Sequence, residues 1–205
     1  MSESKRPARR AIPAGPAPTE TSLREAALAH IARFAATESG LRAVLRRRVD
    51  RWALRARDEG MAEEQIARAR AEGRRAADAV AARMTELGAI NDQAFAESRA
   101  RRLRRAGRSS QAIAAHLAAK GVARDLVDPA LDAAPGEELD AAIAFLRRRR
   151  AGPFGDTPVE EMEPQARQKL LAAMGRAGFE HETARRALDL SREEAEERLI
   201  AARGA

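Results

Sequence analysis

The stretch that decides the fold runs from Gly88 to Asp132: GAINDQAFAESRARRLRRAGRSSQAIAAHLAAKGVARDLVDPALD. Its apolar residues recur at helical spacing in three consecutive segments, which short polar breaks separate. Asn91 or Asp92 can cap the first segment through a side-chain oxygen. Residues 107–110 divide the first segment from the second, and a further glycine ends the second. This pattern predicts a module of three short helices.

The module is repeated further along the chain. Gly121 aligns with Gly178 at an offset of 57 residues, and the same offset pairs similar residues at six other positions. These pairs are Ile113 with Leu170, Leu117 with Met174, Val122 with Phe179, Ala130 with Ala187, Leu131 with Leu188 and Asp132 with Asp189. A fixed offset over this many positions indicates an internal repeat. Leu41 and Leu45 belong to a weaker first copy.

The repeats and the breaks between them predict an all-α chain with five regions. We expect a disordered basic tail at residues 1–20, a first repeat at 21–88, a central three-helix repeat at 89–134, a third at 135–190 and a C-terminal helix or tail at 191–205. Residues 55–79 are charged and rich in alanine, so we interpret them as an inserted, exposed helical segment that Gly60 and Gly73 interrupt. The first helix is expected to start at Ser22, in a capping box with Glu25, and to end at Gly40.

The composition limits the classes of protein to which the chain can belong. Charged residues make up 34% of it and aromatic residues 3%, and the net charge is +7. A basic surface suggests an anionic partner, either nucleic acid or an acidic protein face. The absence of cysteine excludes disulfides and thiolate ligands. No apolar run approaches the ~20 residues that span a bilayer, and no secretory signal is recognisable. We therefore expect a cytoplasmic protein, and we expect it to be a monomer.

Arginines cluster on the polar faces of predicted helices. One side of the first helix of the central repeat carries Arg101, Arg104, Arg105 and Arg108, at i, i+3, i+4 and i+7. A helix predicted at about 137–150 ends in Arg147, Arg148, Arg149 and Arg150, and an earlier helix carries Arg46 and Arg47. Either these faces bind an anionic partner or they are solvated surfaces that only confer solubility. Trp52 is interpreted as a packing residue beneath arginines rather than as a platform for base stacking.

The residues that could support catalysis or metal binding are scattered. His30, His116 and His181 are far apart in sequence, and none has a second histidine at metal-ligand spacing. Ser109 and Ser110 have no partnered base and are interpreted as helix caps. We expect no catalytic residue, no metal and no cofactor, and therefore a binding protein rather than an enzyme.

The order of motifs in the central stretch is that of a known family. Asp92 is followed by Phe95 and Ala96, then by a basic helix and Gly107, and then by a helix that ends in Leu117-x-x-Lys120-Gly121-Val122. A later Arg-x-Gly-Phe element ends in Gly178 and Phe179. This order resembles the RecX family, the regulators of the RecA recombinase. The chain departs from the family at Asn91, Arg99 and Ser109, where an acidic residue, an aromatic residue and a glycine are usual.

The resemblance implies both a fold and a function. RecX proteins consist of three tandem three-helix repeats in an elongated, curved, all-α molecule. They bind in the groove of the RecA–single-stranded DNA filament and reduce filament extension, ATP hydrolysis, strand exchange and co-protease activity, which modulates recombinational DNA repair and the SOS response. We therefore expect the arginine faces to contact the RecA filament and, more weakly or together with RecA, single-stranded DNA. Two alternatives stay open: a basic helical DNA-binding protein without a RecA partner, and a helical scaffold that binds neither.

Overall fold

The computed structural model describes residues 13–134, 136–157 and 161–204. Within these ranges the chain forms ten α-helices and no β-strand. The helices are α1 (Glu20–Ile31), α2 (Glu38–Asp58), α3 (Glu63–Glu86), α4 (Asp92–Arg105), α5 (Ser110–Ala119), α6 (Val127–Asp132), α7 (Glu138–Arg149), α8 (Pro164–Arg176), α9 (His181–Asp189) and α10 (Arg192–Gly204). The predicted all-α fold class is confirmed.

The chain divides into two compact units after Ile90. The first unit contains α1, α2 and α3, and the second contains α4 to α10. In the second unit the buried apolar residues gather in two clusters, one formed by the central repeat and one by the third repeat. The first unit is built on its long helices, and the second on short helices joined by tight turns.

Helices α2 and α3 are the long pair of the first unit. Arg46 on α2 pairs with Asp78 on α3. One turn later on α2, Asp50 pairs with Arg74, which lies one turn earlier on α3. The two helices therefore run antiparallel. Helix α1 packs against them through Leu23, which is fully buried.

Residues 55–79 do not form a separate, interrupted insertion, so that interpretation was wrong. They comprise the end of α2 and most of α3, and α3 passes through Gly73 without a break. A Cβ on Gly73 would lie 3.0 Å from Cγ1 of Val49, so the glycine is required by close helix packing rather than by a turn. Ile66 is 1% exposed and packs in the cluster that contains Trp52. Gly60, with φ of +82°, does separate the two helices, as predicted.

The first two helices begin at threonine caps that the sequence analysis did not recognise. Thr19 caps α1 in place of Ser22: its Oγ1 accepts a hydrogen bond from the Ser22 backbone N at 3.3 Å. Thr37 caps α2, with its Oγ1 accepting from Gly40 N at 2.9 Å. The predicted start at Ser22 and the predicted end at Gly40 were therefore wrong. In both places a hydroxyl three residues ahead of an unpaired N–H satisfies that donor.

Residues 14–20 of the predicted tail are held by hydrogen bonds and by the start of α1, so the expectation of disorder at these residues was wrong. Ala14 N donates a hydrogen bond to Oε1 of Glu59 at 2.8 Å, and Trp52 Nε1 donates one to Gly15 O at 3.1 Å. Trp52 is 5% exposed, which confirms it as a packing residue. The remainder of the predicted tail, residues 1–12, lies outside the described residues.

The central and third repeats share a turn geometry at equivalent positions. Gly121 and Gly178 have φ of +74° and +88°, the left-handed conformation that ends a helix. Two hydrogen bonds of 3.1 Å close these turns, from Val122 N to Leu117 O and from Phe179 N to Met174 O. The offset of 57 residues thus relates α5 and α6 to α8 and α9.

The C-terminal segment is part of the third repeat's core rather than a separate tail. In α10, Ala195 is fully buried and Leu199 is 6% exposed, and both belong to the apolar cluster of the third repeat. Arg198 Nε lies 3.0 Å from Oδ1 of Asp140, and its Nη2 lies 2.9 Å from Oε2 of Glu137. The sequence signal was weak because a short helix places few large apolar residues on its buried face.

Candidate functional site

Helix α4 carries three of the ten arginines that were assigned to an interface from the sequence: Arg101, Arg104 and Arg105. Oδ1 of Asn91 accepts a hydrogen bond from Ala94 N at 2.9 Å, which fixes the start of the helix. Ala96 and Ala100 are fully buried and set the side of α4 that faces the core. Gly107, with φ of +70°, ends the helix. The opposite side of α4 is therefore directed outward.

Arg104 is buried, although the sequence analysis placed it on the exposed basic face. The residue is 7% exposed and forms an ion pair with Glu138 at the start of α7. Its Nη2 also donates a hydrogen bond to Oγ of Ser110 at 2.6 Å. Glu138 in turn accepts hydrogen bonds from the backbone N of Ser110 at 3.0 Å and from its Oγ at 2.6 Å. We name these three residues the repeat joint, because they tie the central repeat to the third.

The assignment of Arg104 to the interface was wrong for a physical reason. Helical spacing shows which residues share a face, but it does not show which other element covers that face. Arg104 follows buried Ala96 and Ala100 at helical spacing, which was a signal for its burial. Its partner Glu138 lies 34 residues away in sequence, so no local pattern reveals the pairing. A buried guanidinium is tolerated when it is ion-paired and hydrogen-bonded. In the repeat joint, Nη1 of Arg104 pairs with Glu138, and Nη2 of Arg104 donates a hydrogen bond to Oγ of Ser110.

Two glycines and a serine hold the same repeats close together. A Cβ on Gly107 would lie 2.7 Å from the backbone N of Phe145, and a Cβ on Gly178 would lie 2.6 Å from Oγ of Ser109. Ser109 is fully buried: its Oγ accepts from Ala112 N at 3.1 Å and donates to Ala177 O at 2.6 Å. The serine is thus a helix cap, as predicted, and also a bridge between repeats.

The remaining arginines of α4 line a shallow surface depression. Arg101, Arg102 and Arg105 border it together with Ser98, and its volume is about 350 Å³. Arg101 lies 3.7 Å from Oε2 of Glu97, a distant and partly exposed ion pair. The sequence analysis did not single out Arg102, although its i+3 spacing to Arg105 was a signal for it.

Arg147 extends this basic surface onto α7. Arg105 and Arg147 both border a second cavity of about 180 Å³, whose walls include Ala141, Ala144 and Leu199. Arg105 thus borders both depressions and links α4 to α7, although buried Arg104 and the carboxylate of Asp140 also line the second cavity. We name Arg101, Arg102, Arg105 and Arg147 the α4–α7 strip.

The other three arginines at the end of α7 have separate local roles. Arg148 donates a hydrogen bond from Nη1 to Ala106 O, at the end of α4, and its guanidinium carbon lies 5.9 Å from the centre of the Phe145 ring. The guanidinium carbon of Arg149 lies 5.3 Å from the same ring. Arg150 adopts the left-handed conformation, with φ of +50°, and ends the helix. The run of four does not act as one patch.

Arg108 belongs to a different cationic group, near α5. The pKa of His116 is lowered first by burial and then by the positive charges of Arg99, Lys120 and Arg108. Arg99 lies with its guanidinium carbon 5.9 Å from the centre of the Phe95 ring, and its buried Nε has no hydrogen-bond partner among the described residues. Arg108 lies beyond the end of α4, after the left-handed turn at Gly107, so it does not continue the helical face that spacing had assigned to it.

Arg46 and Arg47 lie on α2, in the first unit. Nε of Arg46 donates to Oδ1 of Asp78 at 2.7 Å, and this hydrogen bond is the main cause that lowers the pKa of the Asp78 carboxyl. Arg47 is exposed. Arg46 is thus engaged within the fold, whereas Arg47 stays a candidate contact.

The family-motif residues occupy structural positions. Ala96 and Leu117 are fully buried, and Phe179 is 4% exposed, with its ring centre 5.5 Å from that of Phe145. Asp92 lies in the first turn of α4, and Lys120 is at the C-cap of α5. Together with half-buried Phe95 and the three glycines, they shape the helix ends and the repeat contacts.

Comparisons with known proteins place these features in a family. A family model described as "RecX, second three-helix domain" matches residues 91–131, which contain α4, α5 and most of α6. A protein named "Regulatory protein RecX" from Myxococcus xanthus is 37% identical over 171 residues, covering 82% of this chain and 85% of the relative. A protein of the same name from Agrobacterium fabrum is 34% identical and covers 55% of this chain and 59% of the relative. One from Mycolicibacterium vanbaalenii is 36% identical and covers 50% of this chain and 58% of the relative.

None of the described helices combines the length and the apolar character needed to cross a bilayer.

Proposed function

This chain belongs to the RecX family of regulatory proteins, and we propose that it binds the RecA–single-stranded DNA filament and inhibits RecA. The activities affected are filament extension, ATP hydrolysis, strand exchange and co-protease action, so the protein modulates recombinational repair and the SOS response. The protein meets this filament in the cytoplasm. We assign the filament contact in the second unit to the α4–α7 strip.

The assignment rests on one observation: the guanidinium groups of the strip are largely without carboxylate partners in the described part of the chain. Arg102, Arg105 and Arg147 form no ion pair with any carboxylate in the described part of the chain, and Arg101 has only the distant contact with Glu97. A guanidinium presents planar donors that suit both phosphate and carboxylate groups, so the strip fits either component of a nucleoprotein filament. Three of its four residues lie in the segment that matches the family model.

The test is RecA's DNA-dependent ATP hydrolysis, titrated with the full-length protein at far less than one molecule per RecA monomer. The variant Arg101→Gln/Arg102→Gln/Arg105→Gln removes three charges from the strip and leaves buried Arg104 intact. We expect its half-inhibiting concentration to rise about tenfold, equivalent to about 1.4 kcal/mol. The matched control is Arg68→Gln/Arg75→Gln/Arg83→Gln, which removes three charges from exposed positions on α3.

The two outcomes that contradict the proposal are distinct. Equal inhibition by the strip variant and the α3 control would remove the strip from the contact surface. If the wild-type protein leaves ATP hydrolysis unchanged up to one molecule per RecA monomer, RecA inhibition itself is wrong.

A second candidate is direct binding of nucleic acid without RecA. It is favoured by the net charge of +7 and by the unpaired cations of the strip. Among the described residues, Phe34 is the one aromatic side chain that is mostly exposed, at 55%. Base stacking is then a minor term, and the affinity should depend steeply on salt. Tight oligonucleotide binding combined with no effect on RecA would favour this candidate.

A further inference from the structure

The first unit contains a groove lined by arginines that neither the family motifs nor the strip explains. Its volume is about 450 Å³. One wall is α2, which contributes Arg48, Arg51 and Arg55, and the other is the segment of residues 14–19 with Ser22. We propose that this groove, named the α2 groove, binds the phosphate backbone of a single nucleic-acid strand, directly and independently of RecA.

The three arginines form a regular row. Their spacing of i, i+3 and i+7 places them on one face of α2. With a rise of 1.5 Å per residue, the row extends about 10 Å along the helix. A row of three guanidinium groups can contact up to about three phosphates of a single strand.

These arginines have no partner in the protein as far as it is described. Neither an ion pair nor a side-chain hydrogen bond joins Arg48, Arg51 or Arg55 to another described residue. The arginines at the contact between α2 and α3 behave differently: Arg46 of α2 pairs with Asp78, and Arg74 of α3 pairs with Asp50. The charge of the row is therefore available to a ligand, whereas the charge on the neighbouring side of the same helix is neutralised.

The opposite wall is held in place by the fold. Gly15 O accepts from Trp52 Nε1 at 3.1 Å, and Ala14 N donates to Glu59 at 2.8 Å. Thr19 and Ser22 then form the reciprocal cap of α1. Helix α1 therefore presents its N-terminal end, the positive end of its dipole, to the groove that the arginine row of α2 also lines. The groove is thus preformed, with the arginine row on one wall and the capped N-terminus of α1 on the other.

The floor of the groove favours a phosphate ligand over an acidic peptide. Trp52 lies beneath the row but is 5% exposed, and its N–H is already bonded to Gly15. It offers neither a free donor nor an open ring for a side-chain anchor or a stacked base. A site that recognises its ligand by charge and backbone spacing alone suits a phosphodiester chain of any sequence.

Trp52 also makes the site observable, because it is the single tryptophan of the chain. The probe is a 20-nucleotide polythymidine, added to full-length protein without RecA, with fluorescence anisotropy for binding and tryptophan emission for location. We expect a saturable change in emission whose midpoint agrees with the anisotropy midpoint. Binding by anisotropy without any change in tryptophan emission would place the strand elsewhere and overturn the proposal.

The decisive variant is Arg48→Gln/Arg51→Gln/Arg55→Gln, compared with the α3 control triple, which removes the same charge. Each phosphate contact in a single strand contributes about −0.7 to the slope of log K against log salt, so the variant should reduce the slope by about 2. Its affinity at about 50 mM salt should fall at least tenfold, with the emission change abolished. Circular dichroism verifies that both variants keep their helicity.

Two results would contradict the α2 groove without touching the RecA proposal. The first is a slope for the groove variant equal to that of the α3 control. The second is displacement of the oligonucleotide by a 20-residue polyglutamate at lower concentration than by unlabelled polythymidine, which would mark an acidic-peptide site. Since RecA is absent from this experiment, failure of the groove and failure of RecA inhibition are separable.

Discussion

Arg104 and Arg105 are neighbours in sequence, yet they belong to regions with opposite physical character. Arg104 is buried in the repeat joint, where Glu138 and Ser110 occupy its donors. Arg105 is exposed in the α4–α7 strip and borders two surface depressions. The residue type is the same, and one step along a helix of 3.6 residues per turn separates the two environments. An arginine's role in this protein is therefore set by the element that packs over it.

The difference has an energetic meaning. A buried charge pair contributes little net stability relative to an apolar pair, but removal of one partner leaves an unpaired buried charge at high cost. An exposed arginine has no such coupling, so its removal leaves the fold nearly unaffected. Binding capacity should therefore reside in the strip, and stability in the joint.

The largest expected effect is the loss of stability from Arg104→Ala. It leaves Glu138, whose side chain is 28% exposed, without its cation. We expect a loss of about 3 kcal/mol in the free energy of unfolding, measured by urea denaturation at pH 7, because the variant removes two hydrogen bonds of a buried charged group. Arg105→Ala is the control, with a change below about 0.5 kcal/mol. Comparable losses in the two variants would show that burial does not distinguish them.

The second effect is a difference in stability between alanine substitutions at two glycines of the second unit, Gly107 and Gly175. Gly107→Ala forces φ of +70° on an alanine and sets its Cβ 2.7 Å from Phe145 N. We expect a loss of about 1–3 kcal/mol in the free energy of unfolding. Gly175→Ala, in the last turn of α8 with nothing within 4 Å of its Cβ, should instead stabilise by up to about 0.5 kcal/mol. Changes of the same sign in thermal unfolding would contradict the close approach of the repeats at Gly107.

The third effect concerns the ion pair between Asp50 and Arg74, which is more exposed than the repeat joint. Hydrogen bonds from Arg74 first, and then from Arg70, lower the pKa of the Asp50 carboxyl, against the opposing effect of burial. A lowered folded-state pKa stabilises the protein above the unfolded pKa, and this contribution disappears as the pH falls through the folded value. Asp50→Asn should therefore cost no more than about 1 kcal/mol at pH 7. The difference from wild type should shrink progressively as the pH falls below about 4, the ordinary pKa of an aspartate, toward the lowered pKa of folded Asp50.

Urea denaturation at pH 7 and at pH 3 tests this dependence. A deficit of equal size at both pH values would mean that Asp50 acts through packing or its neutral hydrogen bonds, and not through its charge.

The parts of this structure that the sequence predicted are those fixed by local chemistry. The cap at Asn91, the helix ends at Gly121 and Gly178, and the burial of Trp52 depend on a few adjacent residues or on residue type. The parts that it missed depend on distant partners. Glu138, which pairs with Arg104, lies 34 residues away in sequence. Gly73 has the sequence character of a helix break, but in the structure it lies within α3 and packs closely against Val49.

The smallest expected change in stability is that of the strip. Arg101→Gln/Arg105→Gln removes two surface charges and disrupts only the distant ion pair between Arg101 and Glu97, so the free energy of unfolding should stay within about 0.5 kcal/mol of wild type. The same variant should raise the concentration needed to inhibit RecA. Arg104→Gln should behave in the opposite way, since it reduces stability while the molecules that remain folded keep an intact strip. If instead the strip variant is destabilised and Arg104→Gln fails to inhibit RecA at full helicity, the assignment of stability to the joint and binding to the strip is wrong.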